Sequence, residues 1–321
     1  MKSNLLYRIL RKIKKIVYKR NTKHKNLDFT KKETQNHIYD LILSGKPFMI
    51  SRFGSVELDG ILYANALEHS KFCQMILYML DKSPIYSTDI SKDSIEKTLE
   101  NNAGFFPVNK ESLCLFKNMY INAIKDIDVL GSWLESEKYM KKYFNNNMKF
   151  CSLGSLEPYG AVELPWSKAL KNKKVLVIHP FSDSIQMQYN NNRLKLFENL
   201  DILPEFELIT FKAVQSIAGE YTGFLDWFQA LDYMKNEILK IEFDIAILGC
   251  GAYGMPLASY IKSLKKQAIH LGGATQCLFG IKGKRWEEIE SFKDIINEYW
   301  IRPNENEIPK NFKNVEQGCY W

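Results

Sequence analysis

The stretch FMISRFGSVELDG, residues 48–60, runs from an apolar segment directly into a polar one. Its first three residues are typical of a buried strand, and Arg52 stands where that strand ends. Arginine carries a planar fork of donors that suits phosphate or carboxylate, and a buried strand has no structural need for it. Glu57 and Asp59 follow closely, and their oxygens suit a hard divalent cation. The alternative is an ion pair between Arg52 and a carboxylate that only holds the loop.

Further along the chain, short apolar segments alternate with amphipathic ones. The apolar segments predicted as strands include KKVLVIHP (173–180), FELITFKAV (206–214), FDIAILGCG (243–251) and QAIHLGG (267–273). This alternation predicts an α/β, Rossmann-like fold with a mainly parallel sheet covered by helices on both faces. In such sheets ligands bind beyond the carboxyl ends of the strands, so the residues after each strand are the candidates for function.

Helical periodicity marks the segments between the predicted strands. The pattern predicts one helix over residues 31–44, helical structure over 56–80, and two helices over 93–126 that break near Gly104 and Pro107. Thr30 and Glu33 form a capping-box pattern before the first of them.

The segment GCGAYG, residues 249–254, matches GxGxxG between a strand and a helix. Gly249 and Gly251 would let the backbone approach a ligand phosphate. The acidic ribose ligand expected about 20 residues later in a nicotinamide site is missing, because the next strand ends in His270 and Gly272. Close packing of helix on strand is the alternative reason for the glycines.

Two further strand ends carry polar groups. In HPFSDS, residues 179–184, the serines and Asp183 suit a helix cap, and the same helix N-terminus beside His179 suits an anion. In HLGGATQCLFGIKGKRW, residues 270–286, three cations follow a glycine-punctuated loop: Lys282, Lys284 and Arg285. Clustered cations suit a diphosphate and the neighbouring Trp286 suits a base or a sugar, although a solvated surface loop has the same composition.

Three carboxylates near the strand ends are candidates for a general base that accepts a proton from a hydroxyl: Glu220, Asp226 and Asp183. Asp226 can equally be a favourable charge at the start of its helix.

The amino-terminal arm, residues 1–25, contains ten Lys or Arg and no acidic residue. Removing these ten from the 44 basic residues leaves 34 against 37 acidic ones in residues 26–321, which does not favour a nucleic-acid-binding protein. Apolar residues recur at helical spacing over residues 1–20, with basic residues between them. The pattern predicts a basic amphipathic helix that lies on an anionic membrane surface, and its apolar runs are too short to span a bilayer. Docking on the chain's own body or on a partner chain is the alternative.

The six cysteines are far apart and form no CxxC pair, which argues against a zinc site or a disulfide framework. We therefore expect reduced thiols and a cytoplasmic protein. Residues 26–321 are predicted to form a single α/β domain.

The segment RFGSVE, residues 52–57, resembles the RFGDGE-type signature of bacterial glycosyltransferases with the GT-D fold. The segment ILGCGAYGMPLASYIKSLKKQAIHLGG, residues 247–273, is similar to the closing unit of that family. The resemblance covers residues 30 to 290 and is strong only in these two stretches.

This resemblance implies a nucleotide-sugar donor, Mn²⁺ or Mg²⁺, and a glycan, lipid-linked or protein-linked acceptor in bacterial surface polysaccharide synthesis. In the family an Asp-x-Glu pair binds the donor diphosphate through metal. Here Ser55 replaces the aspartate, so either Asp59 joins Glu57 as the metal ligand or positive side chains stabilise the diphosphate instead. The predicted donor-binding residues are Arg52, Gly54, Ser55, Glu57, Gly249, Gly251, His270, Gly272, Lys284 and Arg285.

Two other classes of protein fit the same sequence. A non-catalytic nucleotide-binding scaffold of a polysaccharide machine would explain the missing aspartate. A Rossmann-type enzyme that uses NAD or S-adenosylmethionine would bind its cofactor at the Gly249–Gly254 turn.

Overall fold

The structure is a computed structural model, and it describes the greater part of the chain. The described residues are 10, 12–14, 27–84, 89–160 and 163–321, with the backbone alone for 89–93. Most of the predicted amphipathic arm therefore lies outside the described residues.

A sheet of seven parallel strands forms the centre, in the order β3-β2-β1-β7-β6-β4-β5. The strands are β1 (Phe48–Arg52), β2 (Val129–Ser132), β3 (Lys149–Ser152), β4 (Lys174–His179), β5 (Glu207–Lys212), β6 (Ile245–Leu248) and β7 (Gln267–His270). The predicted α/β, Rossmann-like fold with a parallel sheet is confirmed.

Helices join the strands on both sides of the sheet. The α-helices are α1 (Lys31–Leu43), α2 (Ser55–Leu67), α3 (Lys71–Met79), α4 (Asp89–Thr98), α5 (Lys110–Lys125), α6 (Ser182–Asn192), α7 (Trp227–Ile238), α8 (Gly254–Ser263), α9 (Ala274–Leu278) and α10 (Lys284–Glu287). No helix among the described residues combines the length and apolar character needed to cross a lipid bilayer.

The structure adds detail to the helical predictions in two segments. The segment 56–80 is two helices, because Ser70 caps the start of α3 by accepting a hydrogen bond from the Cys73 amide at 3.2 Å. The predicted break near Gly104 is confirmed: α4 continues into a π-helical turn, and Gly104 ends that turn with φ of +72°.

Both faces of the central strands are buried, as continuous apolar strands require, and the edge strands β3 and β5 are only partly buried. Successive residues of β1 belong to different cores: Met49 packs in one cluster with α2, α5, α7 and α8, and Ile50 packs in the other with α1, α6 and α9. The strands therefore contribute side chains to two separate hydrophobic layers.

After β1 and after β7, the chain turns toward opposite faces of the sheet. Helix α2, which follows β1, packs on the first core, and α9, which follows β7, packs on the second. These two strands are neighbours, with Ile50 paired to Ile269. Such a divergence opens a crevice at the carboxyl ends of the two strands, the usual position of a ligand in open α/β sheets.

A buried carboxylate from the C-terminal region closes the N-terminus of α6. Glu307 accepts hydrogen bonds from the backbone amide of Asp183 at 2.8 Å and from the amide and hydroxyl groups of Ser184. The predicted anion site at this helix end is thus filled by a side chain of the same protein.

We expect Glu307→Ala to lower the free energy of unfolding by about 1–3 kcal/mol, because it leaves buried amides without an acceptor. Urea denaturation followed by circular dichroism measures the change. Glu305→Ala, at an exposed position of the same segment, is the control and is expected to leave stability unchanged. Equal stabilities of the two variants would contradict the assignment of Glu307 as the cap.

Candidate functional site

A cavity of about 510 Å³ lies at the carboxyl ends of the strands, in the crevice between β1 and β7. Residues that follow β1, β3, β4, β6 and β7 contribute to its wall, and the C-terminal segment completes it. Of the residues predicted for donor binding, those in the wall are Arg52, Gly54, Ser55, Glu57, Gly249, Gly251, His270, Gly272 and Arg285. The sheet topology has therefore brought together groups from widely separated segments.

Arg52 is the polar group at the end of β1, and it is incompletely paired. Its guanidinium carbon lies 5.2 Å from the centroid of the Trp133 ring, and the Trp133 indole is held by its hydrogen bond to the Phe53 carbonyl at 2.9 Å. The Nε atom of Arg52 is buried, and no group of the described residues accepts its hydrogen bond. Leaving such a donor unpaired costs about 1–3 kcal/mol or more, so the arrangement favours an anionic ligand that supplies an acceptor.

Glu57 stands near Arg52 without an ion pair between them within 4.0 Å among the described residues. It occupies the first turn of α2, and its carboxylate folds back over Gly54, where any side chain would collide with it. Burial raises the pKa of the Glu57 carboxyl, and the positive charge of Arg52 opposes this rise only in part. The alternative interpretation of Arg52 as half of a loop-holding ion pair therefore does not describe the structure.

Two buried histidines, His179 and His270, contribute to the cavity wall, and both are neutral at physiological pH. Burial lowers the pKa of His179 and of His270 to about 3. His270 Nδ1 lies 2.9 Å from the Ser51 hydroxyl, which joins β7 to β1. His179 Nδ1 accepts a hydrogen bond from the Phe181 amide at 3.0 Å, so its proton is on Nε2.

The histidine rings explain two glycines of the GCGAYG turn. A side chain on Gly249 would approach His179 Cδ2 to 2.6 Å, and one on Gly254 would collide with the His270 ring. Gly251 adopts a φ of +54°, in the left-handed region that favours glycine. The packing alternative therefore accounts for this motif without a bound dinucleotide.

The opposite wall of the cavity comes from the C-terminal segment. Arg285 forms an ion pair with Glu316, donates to the Tyr320 hydroxyl at 3.1 Å, and lies 4.7 Å from the centroid of the Tyr320 ring. Trp321 is nearly buried, and its Nε1 has no acceptor among the described residues. This wall therefore presents the paired guanidinium of Arg285, aromatic surface, and the indole Nε1 of Trp321 as an unpaired donor.

The two lysines predicted to accompany Arg285 lie outside the cavity wall. Lys282 is 3.6 Å from a Glu287 carboxylate oxygen, and Lys284 is 3.9 Å from one of Glu288. Lys284 instead lines a separate shallow groove beside Arg302. For Lys282 and Lys284, the alternative interpretation therefore holds: they are solvated side chains of a surface loop.

None of the three predicted general bases is in the cavity wall. Asp183 is exposed, and Glu220 follows a short 3₁₀ turn on the chain between β5 and α7. Asp226 caps α7, because its carboxylate accepts the Gln229 amide hydrogen bond at 2.8 Å. Asp226 thus lies just before α7 as its N-cap, and its role is the structural alternative at the helix start, although it precedes the first turn.

Glu157 is a cavity residue that the sequence interpretation missed. It follows β3 and a 3₁₀ turn over Leu153–Leu156, and it lines the wall. Burial raises the pKa of Glu157 to about 7, with Lys31 acting in the opposite direction. The segment KFCSLG, residues 149–154, contains β3, and the same strand-end rule applied there would have led to the residues that follow it, including Glu157.

The carboxylates do not fit a metal centre built by the protein alone. Glu57 and Asp59 are two positions apart on α2, which separates them by about 200° around the helix axis. Asp59 is exposed and outside the cavity wall. Among the described residues, no group of three or more His, Cys, Asp or Glu is placed to hold a metal ion. A divalent cation would need most of its ligands from a substrate or from water.

Comparison with known proteins adds nothing to this geometry. No family model, no curated protein and no solved structure matches the chain. The resemblance of RFGSVE to a glycosyltransferase signature therefore stays a prediction.

We expect Gly254→Ala to lower the free energy of unfolding by about 1–3 kcal/mol, because the new methyl group overlaps the buried His270 ring. Thermal or urea denaturation measures the loss. Gly154→Ala is the matched control, since no atom lies within 4 Å of its added methyl group. A Gly254→Ala variant as stable as this control would show that the turn is not closely packed on His270.

Proposed function

We propose that this chain is a glycosyltransferase that moves a sugar from a nucleotide-sugar donor to a glycan, lipid-linked or protein-linked acceptor. The observation that carries the proposal is Arg52: a half-buried arginine at the end of a central strand, in a cavity wall, with its Nε unpaired. A donor diphosphate supplies the oxygen acceptors that this guanidinium lacks.

The size and lining of the cavity support a nucleotide ligand. Its volume of about 510 Å³ is within the range of about 300–1,000 Å³ usual for small-molecule sites. Trp286, Tyr320 and Trp321 provide flat aromatic surface in the wall. Such surface suits the faces of a base or a sugar, and the indole Nε1 of Trp321 can donate to an oxygen.

In this proposal, the positive charge that stabilises the leaving diphosphate comes from arginine side chains. Both histidines are neutral at physiological pH, so Arg52 and Arg285 are the cationic side chains among the described residues of the cavity wall. Negative charge develops on the diphosphate as its bond to the anomeric carbon breaks, and a positioned cation in a partly dry cavity stabilises that charge. Glu57, near Arg52 in the cavity wall, is the carboxylate that orients the donor.

Glu157 is the general base of the proposed reaction. The acceptor oxygen bonds to the anomeric carbon, its proton passes to the Glu157 carboxylate, and the nucleoside diphosphate leaves. A base with a pKa near the working pH is the most effective at such a transfer. Glu157 replaces Asp183, Glu220 and Asp226 in this role, because it is in the cavity wall and they are outside it.

The basic arm supports a peripheral location on the inner face of the cell membrane, where lipid-linked acceptors reside. Residues 1–25 carry ten positive charges and no negative one. Basic residues near an anionic lipid surface contribute about 1 kcal/mol each.

We expect a nucleoside diphosphate to raise the melting temperature of the full-length protein, because a ligand that binds only the native state stabilises it. The screen compares UDP, GDP, CMP, NAD and S-adenosylmethionine, each with and without manganese. Arg52→Gln is expected to weaken nucleotide binding roughly tenfold to 100-fold, the equivalent of one or two charge-assisted hydrogen bonds.

Lys284→Ala is the control for this screen, since Lys284 lies outside the cavity wall, and it is expected to bind as the parent does. A shift with NAD or S-adenosylmethionine alone would overturn the transferase proposal. Binding of a nucleotide sugar without release of nucleoside diphosphate, across a panel of acceptors, would instead identify a scaffold.

We expect Glu157→Gln to lower the transfer rate about 10²–10⁴-fold while nucleotide binding is retained. In the parent the rate should rise with pH through about 7, since the base acts only when deprotonated. The variant should lose this rise. A variant with the parent's rate and pH profile would remove Glu157 from the mechanism without affecting the donor site.

A further inference from the structure

Two amide side chains of the cavity wall have no partner among the described residues. Asn102 and Gln215 are partly buried in this wall, and neither side chain makes a hydrogen bond within the described part of the chain. The third amide of the wall, Gln276, differs, because it donates to the carbonyls of Ile281 and Tyr320 at 3.3 and 3.1 Å. A primary amide offers two donors and an acceptor, so Asn102 and Gln215 can bind a ligand group that has both.

Hydrogen bonds fix the two segments that carry these amides. Asn102 belongs to the π-helical turn Leu99–Ala103, a rare geometry that is often found at functional sites. The Ser216 hydroxyl donates to the Gly104 carbonyl at 2.6 Å, which joins this turn to the segment after β5 that carries the second amide. Because the hydroxyl has one hydrogen, the Tyr253 hydroxyl, 3.0 Å away, donates to Ser216. Both amides are therefore held beside the GCGAYG turn that follows β6.

The part of the wall around these amides is uncharged. Among the described residues of the wall, the charged side chains come from the segments after β1, β3 and β7: Arg52, Glu57, Glu157, Arg285 and Glu316. The segments after β4, β5 and β6 and the π-helical turn contribute none to that set, and His179 is neutral. The cavity therefore has a charged part that suits a diphosphate and an uncharged polar part that suits a neutral group of the same ligand.

Strand order sets the distance between the two parts. A methyl group added to Gly251 would lie 3.5 Å from the Ala103 carbonyl oxygen, so the π-helical turn lies against the end of β6. Strand β7 alone separates β6 from β1, where Arg52 stands. Neighbouring strands are about 4.8 Å apart, so the two strand ends are about 10 Å apart, a distance comparable with the length of a ribose and its base.

The general base lies in the other direction from Arg52. Strand β3, which precedes Glu157, is separated from β1 by β2 alone, on the side away from β6. A diphosphate bound at Arg52 would therefore direct the transferred sugar toward Glu157 and the nucleoside toward the two amides.

We propose that Asn102 and Gln215 recognise the nucleobase of the donor through hydrogen bonds to its edge, and that they set the base specificity of the enzyme. Nucleobase edges carry distinct patterns of donors and acceptors, and the side chains of asparagine and glutamine pair with such edges. This inference rests on the proposed transferase function, and it adds the residues that select the donor nucleotide.

The test compares ligands with and without a base by isothermal titration calorimetry of the full-length protein. The ligands are UDP, GDP, CDP, ADP and inorganic pyrophosphate. The amide variants are Asn102→Ala and Gln215→Ala. The matched control is Asn101→Ala, which changes the neighbouring asparagine of the same π-helical turn, outside the cavity wall.

We expect the parent to bind one nucleoside diphosphate best. Each amide variant should bind that ligand about threefold to tenfold more weakly, the equivalent of one neutral hydrogen bond, and should discriminate less between the bases. Both variants should bind pyrophosphate as the parent does, whereas Arg52→Gln should weaken binding of pyrophosphate and nucleotides alike. The control should bind every ligand as the parent does. All three alanine variants should melt at the parent's temperature, because the side chains of the two amides hold no described residue in place.

Three results would overturn the inference while leaving the transferase proposal standing. If the amide variants bind every nucleoside diphosphate as the control does, the amides do not contact the base. If they lose affinity only for the intact nucleotide sugar, the amides contact the transferred sugar. If they lose as much affinity for pyrophosphate as for the nucleotides, the amides act on the diphosphate. A parent that binds no nucleoside diphosphate would reject the transferase proposal itself.

Discussion

The pairing of the first strand with the last is the interaction on which the site depends. Strand β7 returns after more than 200 residues to lie against β1, with Ile50 opposite Ile269. This register brings His270 beside Ser51 and sets Gly272 against the Arg52 side chain, where an added methyl group would be 3.4 Å from Nη1. The crevice exists because the chain leaves these two strands toward opposite faces of the sheet.

Charge in the cavity is divided unequally between its two walls. Arg285 is satisfied by Glu316 and Tyr320, whereas Arg52 contacts Trp133 and leaves its Nε unpaired. Desolvation makes the imidazoles neutral, so they act through packing and hydrogen bonding. The buried Nε of Arg52 has no acceptor among the described residues, and an anionic ligand would supply the oxygen that it lacks.

Local sequence predicted the elements well, because burial of both faces leaves apolar strands and helical periodicity that are readable over a few residues. It predicted site residues where a single strand end supplied them, as with Arg52 and Glu57. Local sequence could not show that Arg285 lines the cavity and Lys284 does not. Neighbouring residues on a short helix point in different directions, and only Arg285 contacts Tyr320. The same holds for α6, whose cap is a carboxylate 124 positions along the chain.

Sequence by itself determined the alternation of strands and helices, the concentration of positive charge in residues 1–25, and the arginine at the end of β1. Those features follow from the composition of short segments. Tertiary structure alone decided that Glu157 lines the cavity and that Asp226 caps a helix. These features depend on which segments, distant in sequence, pack together. The free energy that drives this packing comes from burial of apolar surface across the whole sheet.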